Sequence, residues 1–152
     1  MFQGATTYNQ DLSTLDTSKI TNMESMFHGS SFTGDISRWD VSSVTQMSDM
    51  FYGNLVFNQD LGSWNVSNVI YMNNTFNYAS VFNKDIGYWD VSSVTNMTSM
   101  FYGATIFNQD LSCWNVTAIP VAPTNFDFST PAWAQPKPNW GTAGCVPTFI
   151  TT

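Results

Sequence analysis

The sequence predicts a repeat solenoid. Short parallel β-strands, one or two per coil, would alternate with short helical or 3₁₀ turns, and an irregular cap would close the C-terminal end. Three observations predict it. First, one word returns about every 25 residues, at Met1-Phe2, Met26-Phe27, Met50-Phe51, Thr75-Phe76 and Met100-Phe101, with a sixth copy opening at Asn125-Phe126. A fixed period of about 20–50 residues marks units that bury one another rather than themselves. Second, the spacing of apolar residues changes from two to three or four within each copy. Third, 43% of residues are apolar and 16% aromatic, enough for a core, while only 10% are charged, well below the usual quarter or so.

The elements follow in order along one repeat. Trp39-x-Val41, Trp64-x-Val66, Trp89-x-Val91 and Trp114-x-Val116 have the period of a short strand. From Val44, Val69 and Val94 the spacing to the next Met and on to Met-Phe is three or four, which suits a helical or 3₁₀ turn. Gly4, Gly29, Gly53 and Gly103 follow Met-Phe-x and end that turn, a usual place for left-handed backbone. A return loop carries the aromatics Tyr8, Phe32, Phe57, Phe82 and Phe107, then Asp-Leu or Asp-Ile, and leads to the next Trp. Paired strands would stack the coils at about 4.8 Å each. Residues 1–126 read as about five such coils, and residues 127–152 as a proline-rich cap or tail.

Net charge is −7, with only four basic residues. No basic patch can be assembled, which argues against nucleic acid and anionic membrane as partners. No apolar run is long enough to span a membrane. Low Lys content with abundant Asn, Ser and Thr suits an extracellular protein. No signal peptide is visible; Met1 stands inside a repeat motif, so the chain reads as a piece of a longer secreted precursor.

The words Asn108-Gln109-Asp110-Leu111-Ser112-x-Trp114-Asn115-Val116 and Trp89-Asp90-Val91-Ser92-Ser93-Val94-Thr95-Asn96-Met97-x-Ser99-Met100-Phe101-x-Gly103-Ala104 recur together at one period. Over residues 1–126 this pattern resembles the BspA-like leucine-rich-repeat family of bacterial surface proteins, of the Mycoplasma-lipoprotein-like repeat type. The resemblance implies a leucine-rich-repeat-like fold. It also implies a secreted or surface-anchored, non-catalytic module for adhesion and recognition, with protein or glycan ligands at the cell surface. It carries over no binding residues.

Individual residues divide between function and packing. The Trp column offers flat faces for sugar stacking, but Leu15 replaces Trp in the first copy, and Leu preserves packing without preserving a ring face. The column therefore reads as core. A column of Asp35, Asp60, Asp85 and Asp110, preceded by Asp11, supplies candidates for calcium, because hard cations take several carboxylate oxygens. The competing reading has each Asp accepting N–H bonds in its own turn. In a second column of Asp16, Asp40 and Asp90, Asn65 and Asn115 alternate with Asp, which favours backbone bonding. No cofactor is required.

Asn65, Asn73, Asn96 and Asn115 open Asn-x-Ser/Thr sequons and are candidate N-glycosylation sites. The only two cysteines, Cys113 and Cys145, would close a loop worth about 3–4 kcal/mol if bridged, and would mark an oxidising compartment. His28 is the only histidine and lacks a partner motif. No nucleophile triad, zinc spacing or phosphate loop occurs, and the acidic pairs repeat as no single pocket requires. The chain is therefore read as no enzyme.

The alternative function is a structural subunit that polymerises head to tail into an extracellular, glycosylated filament. The first repeat carries no polar capping unit, and the end at 146–152 is β-prone, so copies of the chain could join end to end.

Overall fold

The computed structural model describes residues 2–145 of the chain. It overturns the expected leucine-rich-repeat-like solenoid of strands and helical or 3₁₀ turns. Among the described residues there is no α- or 3₁₀-helix and no multi-residue strand. Three isolated parallel bridges, Asn22↔Gln46, Gln46↔Tyr71 and Tyr71↔Asn96, are the only sheet-like pairings among the described residues. The backbone is instead a succession of tight turns.

The reason lies in where the backbone N–H groups go. From Met23 to Ser30 their destinations alternate. The N–H groups of Met23, Ser25, Phe27 and Gly29 donate to Gln46, Ser48, Met50 and Tyr52 of the next repeat at 2.7–3.0 Å. Those of Met26, His28 and Ser30 donate three residues back, to Met23, Ser25 and Phe27. A helix would send every N–H back along its own chain, and a strand would send none there. The pattern returns in the next repeats, with Phe51 bonded to Thr75, Phe76 to Met100 and Phe101 to Phe126.

Left-handed residues enforce it. Ser25, Asp49, Asn74, Ser99 and Asn125 have φ between 54° and 58°, and a right-handed helix cannot pass through such a residue. The expected Trp-x-Val strand fails for a related reason. Turns close on both sides of it, with Trp39 bonded to Ile36 and Val44 to Val41, so no extended run is long enough to form a ladder.

Apolar side chains then meet in register between repeats. Phe27, Phe51, Phe76 and Phe101 stack nearly parallel, with ring centroids 5.7, 5.6 and 5.5 Å apart. Each also stacks on an aromatic of its own repeat, Phe32, Phe57, Phe82 or Phe107, at 4.1–4.4 Å. The Met, Val and Leu/Ile positions fill the remaining interior, and nearly all are buried. Polar side chains hold the outer loops together. Asn58 Oδ1 accepts from Asn83 N–H, Asn83 Oδ1 from Asn108 N–H, and Asn108 Oδ1 from the N–H groups of Ala134 and Gln135.

The sixth copy is displaced by one residue from its sequence reading. Phe27 donates to Met50 and Phe76 to Met100, whereas Phe101 donates to Phe126, so Phe126 occupies a Met position. The shift lets Trp133 and Trp140 meet the file edge-on, Trp133 against Phe107 at 81° and Trp140 against Phe126 at 83°. Lys137 pairs with Asp127 and lies 5.4 Å over the Trp133 ring. The tail then returns across the fifth repeat, with Thr142 accepting from the Val116 N–H and Gly144 passing so close that an added Cβ would meet Cys113 O at 2.4 Å. Cys113 and Cys145 are joined in a disulfide. The expected β-prone segment 146–152 lies outside the described residues.

Candidate functional site

The Trp column is core. Trp39, Trp64, Trp89 and Trp114 are buried, and their indole N–H groups donate to Leu12, Ile36, Leu61 and Ile86 carbonyls at 2.9–3.0 Å. No ring face is left for a sugar.

The acidic columns point outward but are occupied by their own turns. Oδ1 of Asp11, Asp35, Asp60, Asp85 and Asp110 accepts the N–H two residues on, and Asp16, Asp40 and Asp90 do the same. The Ser hydroxyls, ahead of the N–H groups, hold Asp11, Asp16, Asp40 and Asp110 below the ordinary carboxylate value. At Asp35 the Ser37 N–H contributes most. Among the described residues no group of three His, Cys, Asp or Glu side chains is gathered to hold a metal ion. The calcium candidates Asp35, Asp60, Asp85 and Asp110 therefore stand in a row without forming a cage.

The sequons differ in environment. Oδ1 of Asn65 and of Asn115 accepts both the N–H and the hydroxyl two residues on. Asn96 Oδ1 accepts the Thr98 N–H. At Asn73 the sequon hydroxyl belongs to Thr75, which is buried and donates to Met47 and Met72 carbonyls.

The surface carries a continuous aromatic stripe that the sequence reading passed over. His28, Tyr52, Tyr78, Tyr102 and Phe128 follow one another with ring centroids 4.7, 6.2, 5.2 and 5.3 Å apart. His28, Tyr52, Tyr102 and Phe128 hold equivalent places in their repeats. In the fourth repeat that place belongs to Asn77, which is buried, and Tyr78 supplies the missing ring from the place that glycine holds in its neighbours.

Tyr78 has φ of 55°, a conformation that costs a bulky residue about 1–3 kcal/mol. Its ring lies over Gly103, where an added Cβ would meet Tyr78 Cδ1 at 2.7 Å. The neighbouring Tyr102 hydroxyl pushes the Tyr78 phenol above its ordinary value, first by hydrogen bonding and then by charge repulsion. Beneath the stripe, His28 Nδ1 and Asn77 Oδ1 are buried without a hydrogen-bond partner among the described residues. In the sequence the stripe's place in each repeat varies, holding Gln3, His28, Tyr52, Asn77 and Tyr102, so no single residue type marks it.

A concave feature lies beside the disulfide. A cleft of about 440 Å³ opens between the fourth and fifth repeats and the disulfide, lined by Gly87, Tyr88, Asp90, Cys113, Asn115 and Cys145 among others. Tyr88 is 80% exposed.

Repeats of about 25 residues layered in register, closed by a tail under a disulfide, define a repeat protein. The chain belongs to the family described as Mycoplasma protein of unknown function, DUF285, which matches residues 1–77 and again 28–140. Comparison with curated proteins and with solved structures finds no match in either.

Proposed function

We propose that this chain is an extracellular or cell-surface module for adhesion and recognition, related to the BspA-like surface proteins and non-catalytic, and that the aromatic stripe is its binding face. The stripe is the observation that carries the reading. Rings that present apolar area to solvent over successive repeats cost solubility unless something covers them, and tyrosines supply rigid contact area with a polar tip. Strain at Tyr78 and unsatisfied atoms at His28 and Asn77 gather under the same stripe. Departures from local rules concentrate at functional places. The disulfide and the sequons fit an oxidising, extracellular setting.

The test is a binding screen of the intact chain against immobilised glycans and extracellular-matrix proteins, repeated with Tyr52→Ser and Tyr102→Ser together. Loss of at least tenfold in affinity is expected for every ligand of the parent protein whose binding survives Tyr88→Ser, which removes the cleft beside the disulfide from the comparison. Equal binding by parent and variant, with thermal stability unchanged, overturns the reading.

A further inference from the structure

We propose that the cleft beside the Cys113–Cys145 disulfide is a saccharide site for one neutral or amino-substituted pyranose, with Tyr88 as its platform. This site is separate from the aromatic stripe and does not depend on it.

Four features of the cleft converge on such a ligand. Tyr88 is the most exposed large apolar side chain among the described residues, at 80%. Its place in other repeats holds Thr14, Arg38, Ser63 and Cys113, so packing asks for no aromatic ring there. An exposed tyrosine ring lining a hollow of about 440 Å³ offers apolar area of the kind on which a pyranose stacks.

Next to it, Asp90 and Asn115 stand in corresponding places of successive repeats and line the same cleft. Each is oriented by its own turn. Asp90 Oδ1 accepts from Ser92 N–H and Oγ, and Asn115 Oδ1 accepts from Thr117 N–H and Oγ1. Asp90 Oδ2 and Asn115 Nδ2 then make no hydrogen bond among the described residues. One is an acceptor and the other a donor. Adjacent sugar hydroxyls donate and accept together, so they satisfy both. An arginine or lysine side chain offers donors only and leaves the Asn115 Nδ2 donor without an acceptor, whereas a neutral or amino sugar keeps hydroxyl oxygens that accept it.

The third feature is the floor. Gly87, like Gly62 in the third repeat, stands where the other repeats carry Ser13, Ser37 and Ser112. It lines both this cleft and a smaller hollow of about 110 Å³ on the same tyrosine, bounded by Asp85 and Asp110. A Cβ at Gly87 would meet Asp110 O at 2.4 Å, so glycine is required for this approach of the two repeats.

The fourth is charge. Asp85, Asp90 and Asp110 surround Tyr88 with no basic residue in either lining. Uronic and sialic acids are therefore disfavoured, while neutral and amino sugars are accepted. Cys113 and Cys145 of the disulfide also line the cleft, so the tail's attachment forms part of its wall.

The test uses the intact, disulfide-bonded chain made in a host that does not N-glycosylate, since a glycan on Asn115 would consume the Nδ2 donor. Methyl glucopyranoside, glucosamine, glucuronic acid and arginine ethyl ester are compared by saturation-transfer NMR and titration. The neutral sugar and the amino sugar should bind with Kd on the order of 1 mM, weak because one ring makes few contacts, and glucuronic acid at least tenfold more weakly.

Tyr88→Ser and Asp90→Asn should each weaken the neutral sugar at least tenfold. Both keep the fold, because Ser63, Asn65 and Asn115 already occupy those places in other repeats. Tyr52→Ser with Tyr102→Ser should leave sugar binding at the cleft unchanged, which separates this site from the stripe. Absence of saturation transfer from both neutral and amino sugars, equal binding by the two cleft variants, or preference for the arginine ester overturns the proposal.

Discussion

Replacing Trp64 by Ala should cost a large share of the stability of the fold. Trp64 is 4% exposed, and its indole N–H donates to Ile36 O at 3.0 Å across the interface with the preceding repeat. Truncating a buried aromatic to Ala costs about 3–5 kcal/mol. The Ile36 carbonyl also loses one of its two donors but keeps the Trp39 N–H at 3.1 Å, so the lost hydrogen bond adds only about 0.5–1.5 kcal/mol. A single domain of ordinary stability has only about 5–15 kcal/mol to lose.

The two contributions separate by a second variant. Trp64→Phe keeps a six-membered ring but loses the N–H donor and part of the ring volume, so it should cost clearly less than Trp64→Ala, about 1–2 kcal/mol. Equilibrium urea unfolding, followed by circular dichroism and by the fluorescence of the remaining tryptophans, gives both values, and a constant m-value shows that the same cooperative unit unfolds. In repeat proteins each unit is stabilised chiefly by its neighbours, so a local defect in the middle should lower the whole transition. A loss under about 1 kcal/mol for Trp64→Ala, or equal losses for the Ala and Phe variants, would refute the argument that this residue joins two repeats through its ring and its N–H.

Other outcomes follow from the same geometry. Gly144→Ala places a Cβ 2.4–2.5 Å from the Cys113 and Trp114 carbonyls at a φ of 68°, and backbone cannot give way as a side chain can; limited proteolysis should then release the tail. Cys113→Ser with Cys145→Ser should lower stability by about 3–4 kcal/mol, as measured by urea unfolding, from the 32-residue separation the bridge spans. Asp11, Asp16, Asp35, Asp40 and Asp110 are held below their ordinary value of 3.8 in the folded state. Their contribution is therefore complete above that value and lost as pH falls through it towards the folded values, and the melting temperature should drop below about pH 4. Tyr102→Phe should bring the Tyr78 phenol back towards 10, seen as an earlier tyrosinate absorbance rise on alkaline titration.

Much of the interior was legible in the chain because repetition converts composition into place. The Met, Phe, Trp and Val positions recur at one period, and Leu15 in place of Trp already showed that packing, not ring chemistry, governs that column. The Asx positions also carried their signal, since Asn and Asp exchange freely where only an Oδ1 acceptor is needed. The strands and helices were misread because periods of two and three describe which side chains point inward and not where N–H groups go. Tight turns alternating with bonds to the next repeat give the same apolar spacing as strands and helical turns. The stripe was illegible because it changes column at Tyr78, and a one-dimensional alignment hides a ring that arrives from the neighbouring place.

The chain alone determined that equivalent residues would be buried together and that Cys113 had one candidate partner. These follow from counting, since burial and pairing depend on residue type and period. Only the tertiary structure decided the backbone geometry, the one-residue shift at Phe126, the Tyr78 substitution and the cleft beside Cys145. Each depends on which repeat lies against which and at what offset, a quantity set by hydrogen-bond register and left-handed turns rather than by the identity of any single residue.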